Sequence, residues 1–215
     1  MNRFVAPSIL SGDFANMEKS CKNAKQWGAD ILHLDVMDGV FVPNITFGMP
    51  MVKALKKCDI LPLDVHLMIT KPEKYVSQFC DCGADIVTFH PDASDDVAGA
   101  LKTIKDKGVK CGLVLNPDKP LELVKPYIDC IDVLLIMSVY AGFGGQKFIP
   151  ESLDKLVEAK KMIEGKNILL EVDGGVDESN ADAILNCGVD IMVAGSAVYK
   201  SDNPSRTIKI LRGEK

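Results

Sequence analysis

In Ile31-Leu32-His33-Leu34-Asp35-Val36-Met37-Asp38-Gly39 the apolar residues other than Met37 are β-branched or leucine, and the stretch is bounded by Gly28-Ala29-Asp30 before it and Gly39 at its end. That pattern reads as a buried strand. Alternate side chains of a strand share a face, so His33, Asp35 and Met37 point one way and Leu34 and Val36 the other. One face can hold a metal and the other packs. Pro62-Leu63-Asp64-Val65-His66-Leu67-Met68 repeats the arrangement, with Asp64, His66 and Met68 together, and Ile168-Leu169-Leu170-Glu171-Val172-Asp173-Gly174 sets Glu171 beside Asp173. Ionisable groups inside strands this apolar are costly to bury unless they are paired or bound to a metal.

Working outward, one punctuation returns before four expected strands: Gly28-Ala29-Asp30, Gly83-Ala84-Asp85, Gly108-Val109-Lys110 and Gly188-Val189-Asp190. Each glycine follows an amphipathic stretch and precedes an apolar one, as where a helix ends in a left-handed cap and feeds a strand. By that rule strands fall at 4–10, 31–37, 62–68, 86–90, 110–116, 133–139, 168–174 and 191–197. Helical patterns lie at 13–27, 50–57, 73–82, 95–107, 119–127, 151–164, 177–187 and 203–211. Strict alternation implies parallel strands with right-handed crossovers. Eight units in 215 residues sit at the lower size limit of a closed (β/α)8 TIM barrel, so a single barrel domain over residues 1–215 is expected. The rival, an open doubly wound sheet, has no Gly-x-Gly-x-x-Gly turn with an acidic residue downstream to support it.

Hydrophobic residues make up 47% of the chain, ample for a core, and the formal net charge is -5 with lysine and arginine scattered. Nothing there suggests a nucleic-acid or membrane surface, and small molecules are the expected partners. No apolar run approaches the roughly 18 residues that span a bilayer, which leads to the expectation of a soluble cytoplasmic protein. The seven cysteines, Cys21, Cys58, Cys80, Cys82, Cys111, Cys130 and Cys187, are odd in number and dispersed. Reduced, mostly buried thiols fit that better than a disulfide framework or a zinc knuckle.

The strand C-terminal ends of such a barrel form its active face, and the loops after the last strands often bind phosphate. This selects Ser8, His33, Asp35, Met37, His66, Met68, Met137 and Asp173, with the glycine-rich stretches Gly142-Phe143-Gly144-Gly145-Gln146, Gly174-Gly175-Val176 and Gly195-Ser196. A lone strand histidine is more often a hydrogen-bonded core residue and a lone methionine a gap filler. Two His and two Asp from three strands, all allowed by parity to face one mouth, instead form a nitrogen and oxygen set suited to a divalent transition metal. Asp64 and Glu171 lie two residues deeper and suit hydrogen bonding to ligands rather than ligation. His90, ahead of Pro91, has no comparable partner nearby in sequence and is expected to have a structural or supporting role. Backbone N–H groups unobstructed by Cβ can cradle a phosphate without lysine. No inward strand lysine offers a Schiff-base nucleophile, and no Gly-x-Ser-x-Gly elbow offers a hydrolase serine.

Taken in order, Ala6-Pro7-Ser8-Ile9-Leu10-Ser11, His33-Leu34-Asp35-Val36-Met37-Asp38-Gly39 with Phe41-Val42-Pro43-Asn44, Asp64-Val65-His66-Leu67-Met68, Met137-Ser138-Val139 with Gly142-Phe143-Gly144-Gly145-Gln146, Glu171-Val172-Asp173-Gly174-Gly175 and Val193-Ala194-Gly195-Ser196 resemble the ribulose-phosphate 3-epimerase family over essentially the whole chain. The resemblance implies a barrel of the ribulose-phosphate-binding type that interconverts D-ribulose 5-phosphate and D-xylulose 5-phosphate in pentose phosphate metabolism. It implies one divalent ion, Zn, Fe(II), Mn or Co, on His33, Asp35, His66 and Asp173, with Asp35 and Asp173 as the acid/base pair. Ser8 and His66 would contact the pentulose 5-phosphate, Met37, Met68 and Met137 would cap the reacting centre, and the backbone at Gly142, Phe143, Gly144, Gly145, Gly174, Gly175, Gly195 and Ser196 would hold the phosphate. A homo-oligomer is expected.

One departure stands out: Tyr140-Ala141 replaces the family's Asn-Pro before the Gly-Phe-Gly-Gly loop. Losing proline frees the start of the loop and tyrosine adds bulk at the mouth, which bears on phosphate affinity and sugar length. Other readings stay open. A sister epimerase acting on a hexulose 6-phosphate such as allulose 6-phosphate keeps the same ligands, and a catalytically silent barrel would bind metal or sugar phosphate only.

Overall fold

The computed structural model describes residues 3–214. Eight strands, β1 (Phe4–Pro7), β2 (Leu32–Met37), β3 (Leu63–Met68), β4 (Ile86–Phe89), β5 (Lys110–Leu115), β6 (Val133–Met137), β7 (Leu169–Asp173) and β8 (Ile191–Ala194), form one sheet in the order β1-β8-β7-β6-β5-β4-β3-β2. Every neighbouring pair is parallel. A parallel bridge between Ser8 and His33 brings β1 to β2, so the sheet curls into a nearly closed barrel. Helices α1 (Met17–Trp27), α2 (Met49–Cys58), α3 (Val76–Asp81), α4 (Val97–Asp106), α5 (Ser152–Met162), α6 (Ala181–Asn186), α7 (Ser196–Tyr199) and α8 (Pro204–Arg212) lie between and after the strands. Among the described residues no helix is long and apolar enough to cross a membrane.

Strand parity sorts the core as the sequence suggested. Leu32, Leu34 and Val36 join the large apolar cluster shared with helix residues such as Leu55 and Ile104. Inside the barrel, Ala6, Ile31, Ile191 and Val193 make an apolar layer. In the register His33 pairs with Asp64 and Asp35 with His66, which stacks two polar levels within the barrel. Met37 and Met68 gather with Val42 in a further apolar cluster that Leu10, Phe41 and Ala141 border.

The glycine punctuation has the anticipated geometry. Gly28 caps α1 at φ +99°, its N–H donating to Ala24 and Lys25 carbonyls, a conformation that side-chain-bearing residues adopt at a cost. Its neighbour Asp30 does more. The Asp30 carboxylate accepts the N–H of Val5 in β1 (2.8 Å), while Asp30 N–H donates to the Val5 carbonyl (3.1 Å). The same reciprocal clasp recurs as Asp85 with Leu63, Asp132 with Cys111 and Asp190 with Leu170. Each time an aspartate just ahead of an even-numbered strand fastens the odd-numbered strand before it.

Asp30 also pairs with Arg212 of α8 at 2.8 Å. Asp30→Ala removes an acceptor from a strand N–H and from a guanidinium, worth about 2 kcal/mol together. We expect Tm to fall by roughly 4–8 °C, with turnover per folded molecule unchanged. Calorimetry showing no loss would place closure elsewhere.

Several boundaries differ from expectation. The first strand stops at Pro7 because Ile9–Ser11 turns into a 3-10 segment capped by the Ser8 side chain. The last strand stops at Ala194 and the chain goes into α7. Residues 119–127 form no α-helix but two 3-10 segments, Leu121–Leu123 and Lys125–Cys130. Pro126 has no N–H to give to Glu122 and its ring crowds that carbonyl.

Candidate active site

At the strand C-terminal ends, His33, Asp35, His66 and Asp173 each offer one donor atom, and these atoms lie within 4.8 Å of one another. The in-register pairing of β2 and β3 puts Asp35 between two imidazoles: its Oδ1 is 3.3 Å from His33 Nε2 and 3.3 Å from His66 Nδ1. Its Oδ2 accepts a 2.6 Å hydrogen bond from the Ser8 hydroxyl. Asp173, at the end of β7, has Oδ2 4.0 Å from His33 Nε2. Asp64 stands below, with Oδ2 2.6 Å from His33 Nδ1, and Glu171 Oε1 is 3.5 Å from the same nitrogen.

This arrangement fits a divalent cation. His33 Nδ1 is occupied by Asp64, while His33 Nε2, fully buried among carboxylates, has no hydrogen-bond partner. A carboxylate on one imidazole nitrogen with the other aimed at a cluster of acids is how metal-binding histidines are held. Two nitrogens and two oxygens suit a first-row transition metal.

The electrostatics point the same way. Burial first, and then the Asp35 charge, push the Asp173 carboxyl up to about 7. Burial works to raise Asp35 too, but the His33 and His66 rings beside it hold it far below the usual carboxylate range. His33 is lifted well above the ordinary imidazole value: burial opposes this and the Asp35 and Asp64 carboxylates override it. Glu171 is held well above its usual value by burial and then by Asp64. Crowded acids thus demand positive charge at the point where the four donors meet.

Asp173 also gives a test by pH. Its folded value near 7 exceeds the unfolded 3.8, so the folded chain holds a proton that the unfolded chain has released. Stability therefore declines as pH rises from about 4 to 7, and the full cost applies above 7. In chelator-treated protein Asp173→Asn should raise Tm at pH 8 by roughly 5 °C, and the gain should vanish at pH 4. Equal melting of both proteins at pH 8 would contradict it.

At these donors lies a cavity lined by Asp35, Asp173 and Ser8. His33 and His66 are fully buried and do not reach its surface. Met37, Met68 and Met137 line it from β2, β3 and β6, each at most 3% exposed. Gly142, Phe143, Gly144 and Gly145 after β6, Gly174 and Gly175 after β7, and Gly195 and Ser196 after β8 all converge on it. Among the described residues no basic side chain lines it, so backbone N–H groups and neutral polar side chains such as Ser196 are what an anion would meet there. At Gly175 (φ +64°) a Cβ would fall on the Phe148 backbone nitrogen, and at Gly174 (φ +122°) on Val139. Close backbone approach requires glycine at both.

Sequence reasoning gave no role to Asn44, Asn116 or Gln146. Asn44 Nδ2 donates to the Gly142 carbonyl at 3.0 Å, and Gln146 Nε2 braces the same loop through the Tyr140 and Phe143 carbonyls. Asn116 Oδ1 accepts from Ala141 N–H at 3.2 Å. The loop start expected to be freed by the absence of proline is therefore tied to Asn116, just past the end of β5. Tyr140 lines the cavity and is 54% exposed. Asn44 ends Phe41-Val42-Pro43-Asn44 and Gln146 ends Gly142-Phe143-Gly144-Gly145-Gln146, and polar amides in glycine- and proline-flanked loops were the available signal. His90, expected in a structural or supporting role, places Nε2 3.0 Å from His66 Nε2.

Comparison with known proteins agrees with this geometry. The chain is 45% identical over 214 residues to the ribulose-phosphate 3-epimerase of Bacillus subtilis, covering 98% of this chain and 99% of that one. It is 46% identical over 213 residues to the Escherichia coli K12 protein of the same name, covering 98% and 95%. The solved 3-keto-L-gulonate-6-phosphate decarboxylase of Vibrio cholerae superposes with a TM-score of 0.76 at 16% identity, over 99% of this chain and 97% of that one, a likeness of fold alone. The profile of the Ribulose-phosphate 3 epimerase family matches residues 4–199, a span that contains all eight strands and every donor of the cluster. On that match and on relatives this similar from end to end, the chain belongs to the ribulose-phosphate 3-epimerase family.

Proposed function

We propose that the chain, acting as one catalytic domain, interconverts D-ribulose 5-phosphate and D-xylulose 5-phosphate. The observation that carries this reading is the pair of acids. Asp35 and Asp173 come from β2 and β7, three strands apart round the barrel, and line one cavity.

Inverting C3 of a 2-ketose removes the proton α to the carbonyl from one face and returns a proton to the other, through a planar enediolate. An ionised carboxylate can take the proton and a protonated one can give it, with roles exchanged in the reverse direction. The Ser8 hydroxyl holds the Asp35 carboxylate in place. Met37, Met68 and Met137 form an apolar wall that keeps water from the enediolate. The glycine backbone after β6, β7 and β8 grips the phosphate and orients C3. His33, Asp35, His66 and Asp173 would hold the divalent ion, which when bound supplies Lewis-acid stabilisation of negative charge developing on the substrate oxygens. Zn, Fe(II), Mn and Co all suit the donor set. A cytoplasmic homo-oligomer is part of the same proposal.

The test is turnover and C3 deuterium incorporation in D2O with metal-loaded protein. Ribulose 5-phosphate is expected to turn over faster than allulose 6-phosphate. The reverse order would assign the six-carbon sugar, and neither exchange nor epimerisation with either would leave a silent binding barrel.

A further inference from the structure

His90 is fully buried at the end of β4 and has no part in the chemistry above. Its Nε2 is 3.0 Å from His66 Nε2, its ring centroid is 4.8 Å from that of Phe41, and its Nδ1 has no hydrogen-bond partner. Two imidazole nitrogens this close need one proton between them: two lone pairs repel, and so do two N–H groups. The tautomers of the rings are therefore locked together.

Two arrangements satisfy the contact. In one, His66 carries its proton on Nε2 and gives it to His90 Nε2, leaving the His66 Nδ1 lone pair facing the donor cluster, with the His90 proton on Nδ1. In the other, His90 donates from Nε2 and His66 carries its proton on Nδ1, toward Asp35 Oδ1 at 3.3 Å, where it closes that nitrogen to a cation. Each ring has one proton in both, so exchanging them releases none. His33 has no such choice, because the Asp64 carboxylate on its Nδ1 can only accept. We propose that His90 is a positioning residue that accepts the Nε2 proton of His66 and thereby supports the tautomer in which Nδ1 is open to the metal ion. Packing of Phe41 against the His90 ring holds its plane for this contact.

The proposal rests on the metal reading of the four-residue cluster, and the experiment separates the two. Zn2+ alone is titrated into metal-free wild type, His90→Leu and His90→Gln in competition with a chromophoric chelator, with melting curves to confirm folding. Imidazole nitrogens of the Zn2+-loaded wild type are assigned by long-range 1H–15N spectra. Folded His90→Leu should bind Zn2+ about 10- to 100-fold more weakly, and His90→Gln, whose amide oxygen can accept from His66, should recover most of the loss. The spectra should show His66 bound through Nδ1 and protonated on Nε2. Wild-type affinity in His90→Leu, equal losses in both variants, or His66 bound through Nε2 would overturn the role of His90. If His90→Leu does not fold, the wild-type spectra decide alone. Failure of wild type to take up one Zn2+ per chain would instead refute the metal reading, and this proposal with it.

Discussion

Asp173→Asn is expected to lower net epimerisation by roughly 10³-fold or more, and Asp35→Asn by at least as much. An amide can neither take a proton from C3 nor return one, yet it keeps the shape of the carboxyl. The fold therefore survives while one face of the sugar loses its proton carrier. Each variant still has one acid, so a sharper result follows. The epimer whose C3 proton faces the remaining carboxyl should still exchange it with D2O, while the other epimer should not, and the two variants should show opposite preferences. Asp35→Asn leaves one oxygen where two served the Ser8 hydroxyl and the cluster, so its residual exchange should be the weaker. Epimerisation within tenfold of wild type in either variant would remove that residue from the chemistry.

Stripping divalent ions should cost turnover by a comparable factor and also be visible without substrate. Asp35, Asp64, Glu171 and Asp173 crowd about one imidazole, His33, and burial with neighbouring acids makes ionisation of Glu171 and Asp173 costly to the folded chain unless positive charge offsets it. An ion present at a thousandfold its Kd adds about 4 kcal/mol to folding stability, which raises Tm by roughly 10 °C in a domain of this size. Chelation followed by re-addition of one equivalent should lower and then restore both Tm and turnover. A stripped protein that retains full turnover would show that the acids work unaided.

Much of this was legible because period-two parity is a rigid rule. Once Leu34 and Val36 were read as packing outward, His33 and Asp35 had to face inward, and the same held for Asp64 with His66 and for Glu171 with Asp173. Parity says nothing about which strands stand side by side or at what register. The contact of His66 with His90, 24 residues apart, and of Asn44 with Gly142, 98 residues apart, thus escaped the sequence. Local chemistry also overrode pattern: the Ser8 cap ended β1 early, and Pro126 broke an amphipathic stretch into tight turns. The four aspartate clasps were half visible. Asp30, Asp85 and Asp190 lay in the repeated motif, but only glycine was read there, and Asp132 follows no glycine at all.

Those clasps partition the barrel into quarters, β1β2, β3β4, β5β6 and β7β8, each tied within itself by a carboxylate. Severing the chain between β4 and β5 would spare all of them and produce two fragments with complementary endowments. The amino-terminal piece would carry both imidazoles and one acid of the cluster, the carboxy-terminal piece the other acid and all three glycine loops. Neither fragment holds a proton carrier for each face of the sugar, so inversion at C3 is a property that only the reunited halves can have.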